Sequence, residues 1–452
     1  MSLKREEVER IVFSVVERSI EGGAAMADVV YGDSVSRSVS LRDGNVENVR
    51  SSQSGGIGLR VVDSRGAQGL ASVNSLDPDG ISQMVSWALS NCSLGEPNDS
   101  VDMSRKQPDS DESDLDLWDD EIPSLARDDR LQRCLEMHNR ASDADGRILS
   151  IRSSSWSDGY GESFYANSFG VSRWHRGTIV SAGMSLVTED GDSMEMGGFG
   201  DERRYLEDLD HLHIADRAVV ESVRTLGGKP LTTGAYDLVL SPDAASSLLY
   251  AISDMFFASS IQKNRSLLRG RLGSKVGASC LNLVDDGRLV RGIGSSAADG
   301  EGVPCGKTSL LREGRLESFL YSLEYAKKAG VSSTGNGFRG VATVPDVDLS
   351  NMYLEPDLSS PSSLIPLVSK GLYVSDFMGL HTVNSVTGEF SLGAKGTAIE
   401  SGGLQGPVSG VTVAGNLIDL LMKVSSVGRD LTFFGDVGSP SLVVRDVTLA
   451  GS

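Results

Sequence analysis

Apolar residues first recur at helical spacing. Val8, Ile11, Val12, Val15 and Val16 share one face of residues 5–21, and Gly22-Gly23 ends the pattern. The period then shortens to the two-residue alternation of strands over 34–41, with turn chemistry at Arg42-Asp43-Gly44-Asn45. A second hairpin is predicted through 58–62, Ser64-Arg65-Gly66 and 69–73. Pro78 and Asp79 then open a helix carrying Ile81, Met84, Val85, Ala88 and Leu89. Residues 1–98 therefore read as helix, two hairpins, helix.

The order repeats further on. A helix is predicted over 124–141, with Leu125, Leu131, Leu135 and Met137. Strands follow at 148–154, 163–167, 177–189 and 193–199, separated by turns at Ser157-Asp158-Gly159 and Glu189-Asp190-Gly191, and a helix over 214–226 closes the unit. Gly227-Gly228-Lys229-Pro230 marks a boundary. Residues 124–228 thus form a second α+β unit, a duplication of the first in pattern.

The stretch 236–257 opens the rest of the chain. Leu238, Val239 and Leu240 form a buried strand, Ser241 caps a helix and Pro242 takes its first position. Ala245, Leu248, Leu249, Ile252 and Phe256 continue at helical spacing. Beyond it, short β-prone runs separated by turn residues occur at 279–284, 307–311, 315–320, 342–349, 351–354, 396–400, 410–413 and 441–449. Helices punctuate them at 322–329 and 417–427, with a third expected over 361–370. The fold class is α+β: a duplicated helix and antiparallel-hairpin region, then a β-rich, barrel-like domain over 229–452.

Composition narrows the function. The chain of 452 residues carries a net charge of −20, which argues against a nucleic-acid surface. The local cations Lys263, Arg265, Arg269 and Arg271 read as a solvated loop. No apolar run approaches a bilayer span and the first residues lack a signal-peptide core, so a cytoplasmic location is expected. Between Asp109 and Glu121 stand eight acidic residues and no basic one, within a stretch 99–123 expected to be a linker or exposed loop; an interaction element is the other reading.

Candidate chemistry is sparse. Cys92, Cys134, Cys280 and Cys305 are scattered without a Cys-x-x-Cys pair. His138, His175, His211, His213 and His381 include no pair one helical turn apart with an adjacent Glu, so they read as surface or capping residues. Gly335-Asn336-Gly337-Phe338-Arg339-Gly340 fits a dinucleotide fingerprint but is followed by a β-prone run where a helix is required. Gly306-Lys307-Thr308 has a phosphate-loop ending without its first glycine, and no Gly-x-Ser-x-Gly elbow occurs. The acid pairs Asp285-Asp286 and Asp299/Glu301 sit in turn sequences, where Asp bonds locally.

Several phrases in one order carry a resemblance. They are 41–44 with 45–50, Gly56-Ile57-Gly58-Leu59-Arg60-Val61, Val284-Asp285-Asp286-Gly287, 299–304, Ser333-Thr334-Gly335-Asn336, 384–391, Val427-Gly428-Arg429-Asp430 and 438–442. Over nearly its whole length the chain resembles the TldD/PmbA family, also called TldD/TldE and associated with modulation of DNA gyrase. The resemblance implies a zinc peptidase branch, TldD, with a His-Glu-x-x-x-His helix and a distant cysteine ligand. Here those helix positions fall on Tyr250, Ala251 and Met255, and no cysteine stands between Asp430 and Pro440. The chain therefore resembles the PmbA/TldE branch, which lacks the metal centre.

What the resemblance implies is a non-catalytic subunit of a cytoplasmic peptidase that degrades or processes unfolded or flexible peptides. Zinc is expected on the TldD partner and no cofactor on this chain, with a homodimer possible when the chain is alone. Asp299, Gly302, Asn336, Asn384 and Thr387 are candidates for the chamber wall, against the alternative that their turns only need Gly, Asn and Asp geometry. A stand-alone regulator of the gyrase-modulator type, or a hydrolase with an unrecognised site, are the rival functions.

Overall fold

The computed structural model describes residues 4–105 and 112–451. Its first half is one antiparallel sheet of six strands in the order β3-β2-β1-β4-β5-β6. The strands are β1 (Met26–Arg42), β2 (Asn45–Val62), β3 (Gln68–Val73), β4 (Ile148–Asn167), β5 (Ser172–Asp190) and β6 (Ser193–Arg203). Each half of the sheet has its own helices: α1 (Arg5–Glu21) and α2 (Pro78–Leu94) with the first three strands, α4 (Arg127–Ser142) and α5 (His211–Arg224) with the last three. A single turn, α3 (Glu121–Ser124), precedes α4.

The duplication is real at the level of element order. Its two copies meet along β1 and β4, which pair antiparallel from Asp28↔Asn167 to Leu41↔Ser154. Each copy buries its own helices on one face of its strands. Val8, Val12, Val15, Ile81, Met84 and Val85 pack on Val29, Tyr31, Ile57 and Leu59, while Cys134, Met137, Ile214 and Ala218 pack on Trp156, Val180 and Leu186. Asp77 and Asp210 accept from the Gly80 and His213 amides at the starts of α2 and α5.

One strand joins two expected hairpins, and another runs where a turn was expected. β2 is continuous over what reads as the end of one hairpin and the start of another, pairing β1 on one side and β3 on the other. β4 passes straight through Ser157-Asp158-Gly159. Asp in a strand normally signals a turn, but here the Asp158 side chain is wholly buried between Arg37, at 2.6 Å, and Arg130. Neutralising the carboxylate removes its need for water.

The second half holds a closed five-strand barrel. Its strands are 403–416, 389–400, 370–378, β7 (Gly234–Leu240) and 442–450, and the last pairs back to the first through Thr412↔Ala450 and Val413↔Leu449. A second sheet of short strands lies against it, and α6 (Pro242–Ala251) packs between the two. The strand Lys370–Met378 was not foreseen. The helix expected over 361–370 is one turn, Pro361–Leu364, followed by a 3-10 turn, Ile365–Leu367. The helix expected over 417–427 stops at Met422, because Val424–Val427 pairs with 442–444 as a strand. Among the described residues no helix is long and apolar enough to cross a membrane.

The acidic stretch is irregular, as a connection should be, but residues 112–121 are not a solvated linker. Residues 109–111 lie outside the described part. Leu115 and Leu117 are buried, Asp114 pairs with Arg288 at 2.7 Å, and Asp116 pairs with Arg291 at 2.7 Å. Arg291 also reaches Glu207 and Asp208, so this strap fastens the sheet to the C-terminal half.

The deepest link between the halves is ionic. Asp28 on β1 takes hydrogen bonds from Arg60 on β2, at 2.5 to 3.2 Å, and from Arg339 of the C-terminal half, with all three side chains almost fully buried. Burial pushes the Asp28 carboxyl up, but the Arg339 and Arg60 charges more than reverse this and hold it below its ordinary value. Asp28→Asn would strand two buried guanidiniums, so we expect a loss of about 3–5 kcal/mol in urea unfolding at neutral pH. Because the folded carboxyl is the more acidic, its contribution is complete above the unfolded pKa and fades as pH falls through the folded one. The acid side of the stability–pH curve should therefore flatten in the variant. An unchanged unfolding midpoint would show that the triad does not hold the halves together.

Candidate functional site

Strand alternation puts Asp28, Val30, Gly32 and Ser34 on the face of β1 turned away from α1 and α2. Register then assembles two rows: the small residues Gly56, Gly32 and Ser163 ending on His175, and beside it Ser54, Ser34, Gly161 and Gly177. With so little side chain on its floor, this face forms an open trench of about 790 Å³, also bordered by Asn74, Arg204 and Val341. Gly58 next to it has to be glycine, since a Cβ there would lie 1.5 Å from the Val341 carbonyl oxygen. That close approach is how the C-terminal half docks on the sheet.

A cleft of about 460 Å³ continues between the sheet and the C-terminal half. Ser163, Tyr165, Arg173 and His175 line it from β4 and β5, and loops around 293–300, 335–339 and 348–350 line it from the other side. Ser163, His175 and Arg204 border both cavities. The loop 335–340, a decoy as a nucleotide fingerprint, is the docking element: Gly337 pairs with Val347, and Arg339 reaches Asp28.

The sequence candidates divide between two places. Asp299 and Asn336 line the cleft, but their polar atoms are committed to the loops. Asp299 accepts from the Glu301, Val303 and Gly337 amides at 2.7 to 2.9 Å. Asn336 donates to Asp285 at 2.7 Å and to the Asp348 carbonyl, and accepts from Thr334. Burial raises the Asp299 and Glu301 carboxyls, Glu301 further by the Asp299 charge beside it. Gly302, at φ +75°, lies against the Tyr165 ring, which a Cβ would strike at 2.7 Å.

Asn384 and Thr387 are elsewhere, on an exposed turn that Asn384 closes by accepting from the Val386 and Thr387 amides. That turn adjoins the end of α6, where Ser385 donates to Asp254 at 2.9 Å. Unforeseen residues of the cleft are Tyr165, Arg204 and the pair formed by His175 Nδ1 and Glu112 Oε1, 2.5 Å apart. Alternation along β5 would have placed Arg173 and His175 on one face; nothing in the sequence says what faces them.

The positions that the resemblance aligns with zinc ligands do not converge. α6 ends at Ala251, Ile252 leaves helical geometry, and Ser253–Phe256 forms a 3-10 turn. Tyr250 is 64% exposed and Met255 2%, so the two side chains leave the chain in different environments. Neither offers an imidazole, and Ala251 offers no base. Among the described residues no three His, Cys, Asp or Glu side chains are grouped to hold a metal ion. Zinc does not fit the described residues at the end of α6.

The chain is thus a two-copy α+β sheet docked on a barrel, with a cleft between them. Domain models of the PmbA/TldA metallopeptidase family match in order: domain 1 over residues 27–92, the central domain over 120–226 and the C-terminal domain over 233–451. The chain belongs to this family. The metalloprotease PmbA of Escherichia coli O157:H7 is 25% identical over 450 residues, covering 99% of this chain and 97% of that one. A Thermotoga maritima structure, that of a protein proposed as a modulator of DNA gyrase, superposes with a TM-score of 0.91 at 24% identity, covering 98% of this chain and all 100% of that one. TldE from Thermococcus kodakarensis gives 0.89 at 21% identity, with 98% and 100% covered. The named relatives support proteolysis and a metal at the level of the family.

Putting ligands back at the end of α6 should not create a zinc site. We expect the triple variant Tyr250→His, Ala251→Glu, Met255→His to bind zinc no tighter than the unmodified chain in calorimetric titration. One imidazole would face solvent and the other the core, with no third protein donor. Stoichiometric, tight zinc in the variant would show that the helix end rearranges into a competent site.

Proposed function

We propose that this chain is the non-catalytic, PmbA/TldE-type subunit of a cytoplasmic peptidase pair, in which a TldD-type partner carries zinc and cuts. This chain would complete the chamber and hold unfolded or flexible peptides. The observation that carries the reading is the end of α6, where Tyr250, Ala251 and Met255 stand at the positions the resemblance gives to the ligands and base, with Tyr250 exposed and Met255 buried beyond the helix end. The trench beside the cleft supports the peptide part: a floor of glycine and serine admits an extended chain without selecting side chains. Asp299 and Asn336 act in this reading by fixing the cleft loops, and Gly302 by its fit to Tyr165. Asn384 and Thr387 shape the turn beside α6.

The purified chain alone should contain no stoichiometric zinc by metal analysis and leave unstructured peptides intact. Mixed with a TldD-type peptidase it should co-elute in size-exclusion chromatography and cleavage should appear. In that reconstituted pair, Asn384→Ala and Thr387→Ala should each lower cleavage about tenfold, equivalent to roughly 1.4 kcal/mol, without lowering the melting temperature. Tightly held zinc together with peptidase activity in the isolated chain would refute the assignment. Normal cleavage by both turn variants would reduce those two residues to scaffold.

A further inference from the structure

One carboxylate in the cleft belongs to neither wall. Glu112 stands at the start of the described strap and lines the cleft with His175, Arg204 and Ser296. Its Oε1 is 2.5 Å from His175 Nδ1, and the Ser296 hydroxyl is 3.3 Å from the same nitrogen. Arg204 is buried, yet its hydrogen bonds go to the carbonyls of Thr178, Gly292 and Ile293, and no carboxylate bonds to it among the described residues. Burial lowers its pKa, opposed through space by Glu202 and then Glu112. A histidine bonded to Glu112 and a buried arginine without a carboxylate hydrogen bond among the described residues thus border one cavity.

We propose that His175 and Arg204 form a carboxylate-binding subsite and that Glu112 fills it from within, as an internal competitor for an acidic peptide. The proposal rests on the reading of trench and cleft as a peptide-binding channel. Both residues also border the trench, so a peptide lying there reaches them from the open side. The strap is pinned just downstream by Asp114 on Arg288, buried Leu115, and Asp116 on Arg291. Vacating the subsite therefore needs only the Glu112 side chain to turn away. The Glu112 and His175 side chains are 23% and 35% exposed, so the contact between them is weak and a competing carboxylate can displace it. Of the other acids of the cleft, Asp299 accepts from three amides and Asp348 from that of Leu349, while Asp436 stands at its border.

The test is fluorescence anisotropy on the full chain without a partner. The probes are a labelled flexible peptide with glutamates and a free C-terminus, its all-glutamine analogue, and its C-terminal amide. Glu112→Gln, and Glu112→Ala as a second form, should tighten binding of the acidic peptide about fivefold, the scale of one weak ion pair. The gain should vanish when His175→Gln is added. If the glutamine analogue keeps the gain and the amide loses it, the terminal carboxylate is the ligand; the reverse assigns it to a side chain. An unchanged affinity in both Glu112 variants, a gain that survives His175→Gln, or no binding by any form would overturn the subsite. Co-elution with a TldD-type partner involves no peptide. A chain that pairs but shows no gain loses the subsite only; one that shows the gain but does not pair loses the subunit assignment only.

Discussion

The two halves of this protein are held by charges that water cannot reach. Asp28 accepts from Arg60 within its own sheet and from Arg339 across the junction. Tyr165 and Asn167 close over the same cluster from β4. Two cations against one anion would be costly on their own. Glu301 is buried nearby, but burial and the Asp299 charge raise its carboxyl to about 8, so near neutral pH it brings Arg60 little negative charge. Removing any one member leaves the others desolvated and unbalanced, so the cluster fixes one way for the C-terminal half to sit on the sheet.

That fixed seat creates the cleft. Arg339 brings the loop 335–340 onto the sheet, and Val341 settles over Gly58. The rows next to it, floored by Gly32, Gly56, Gly161 and Gly177, are left uncovered. A sheet face floored by small residues beside a docked domain leaves an open space that packing does not fill. The strap adds a third side: its acids neutralise Arg288 and Arg291, and its first described residue reaches His175.

The end of α6 shows a helix face given over to packing. Ala245, Leu248, Leu249 and Ile252 still fill the junction of barrel and second sheet, and so does Met255. Packing has taken over a position where the resemblance implies a ligand. The helix ends one turn earlier than the apolar spacing suggests because a 3-10 turn buries Met255 and Phe256 equally well. Periodicity reports which residues are buried, and both geometries bury them.

What the sequence determined by itself was local. The face of α1, the caps of α2 and α6, the turn at 189–191 and the duplicated order of helices and strands follow from spacing, capping and glycine, which act between near neighbours. That Tyr250, Ala251 and Met255 stand where the resemblance places the zinc helix was legible for the same reason, since residue identity needs no structure. Tertiary structure decided the rest. Asp158 stays within a strand because Arg37 and Arg130, distant in sequence, neutralise it. Lys370–Met378 is a strand because β7 and 389–400 offer it partners. Residues 112–121 are a strap because Arg288 and Arg291, far along the chain, receive Asp114 and Asp116. The glycine motif at 335–340 is a docking loop because Asp28 awaits its arginine. Charge and hydrogen-bond partners set these outcomes, and partners separated by hundreds of residues leave no period in a sequence.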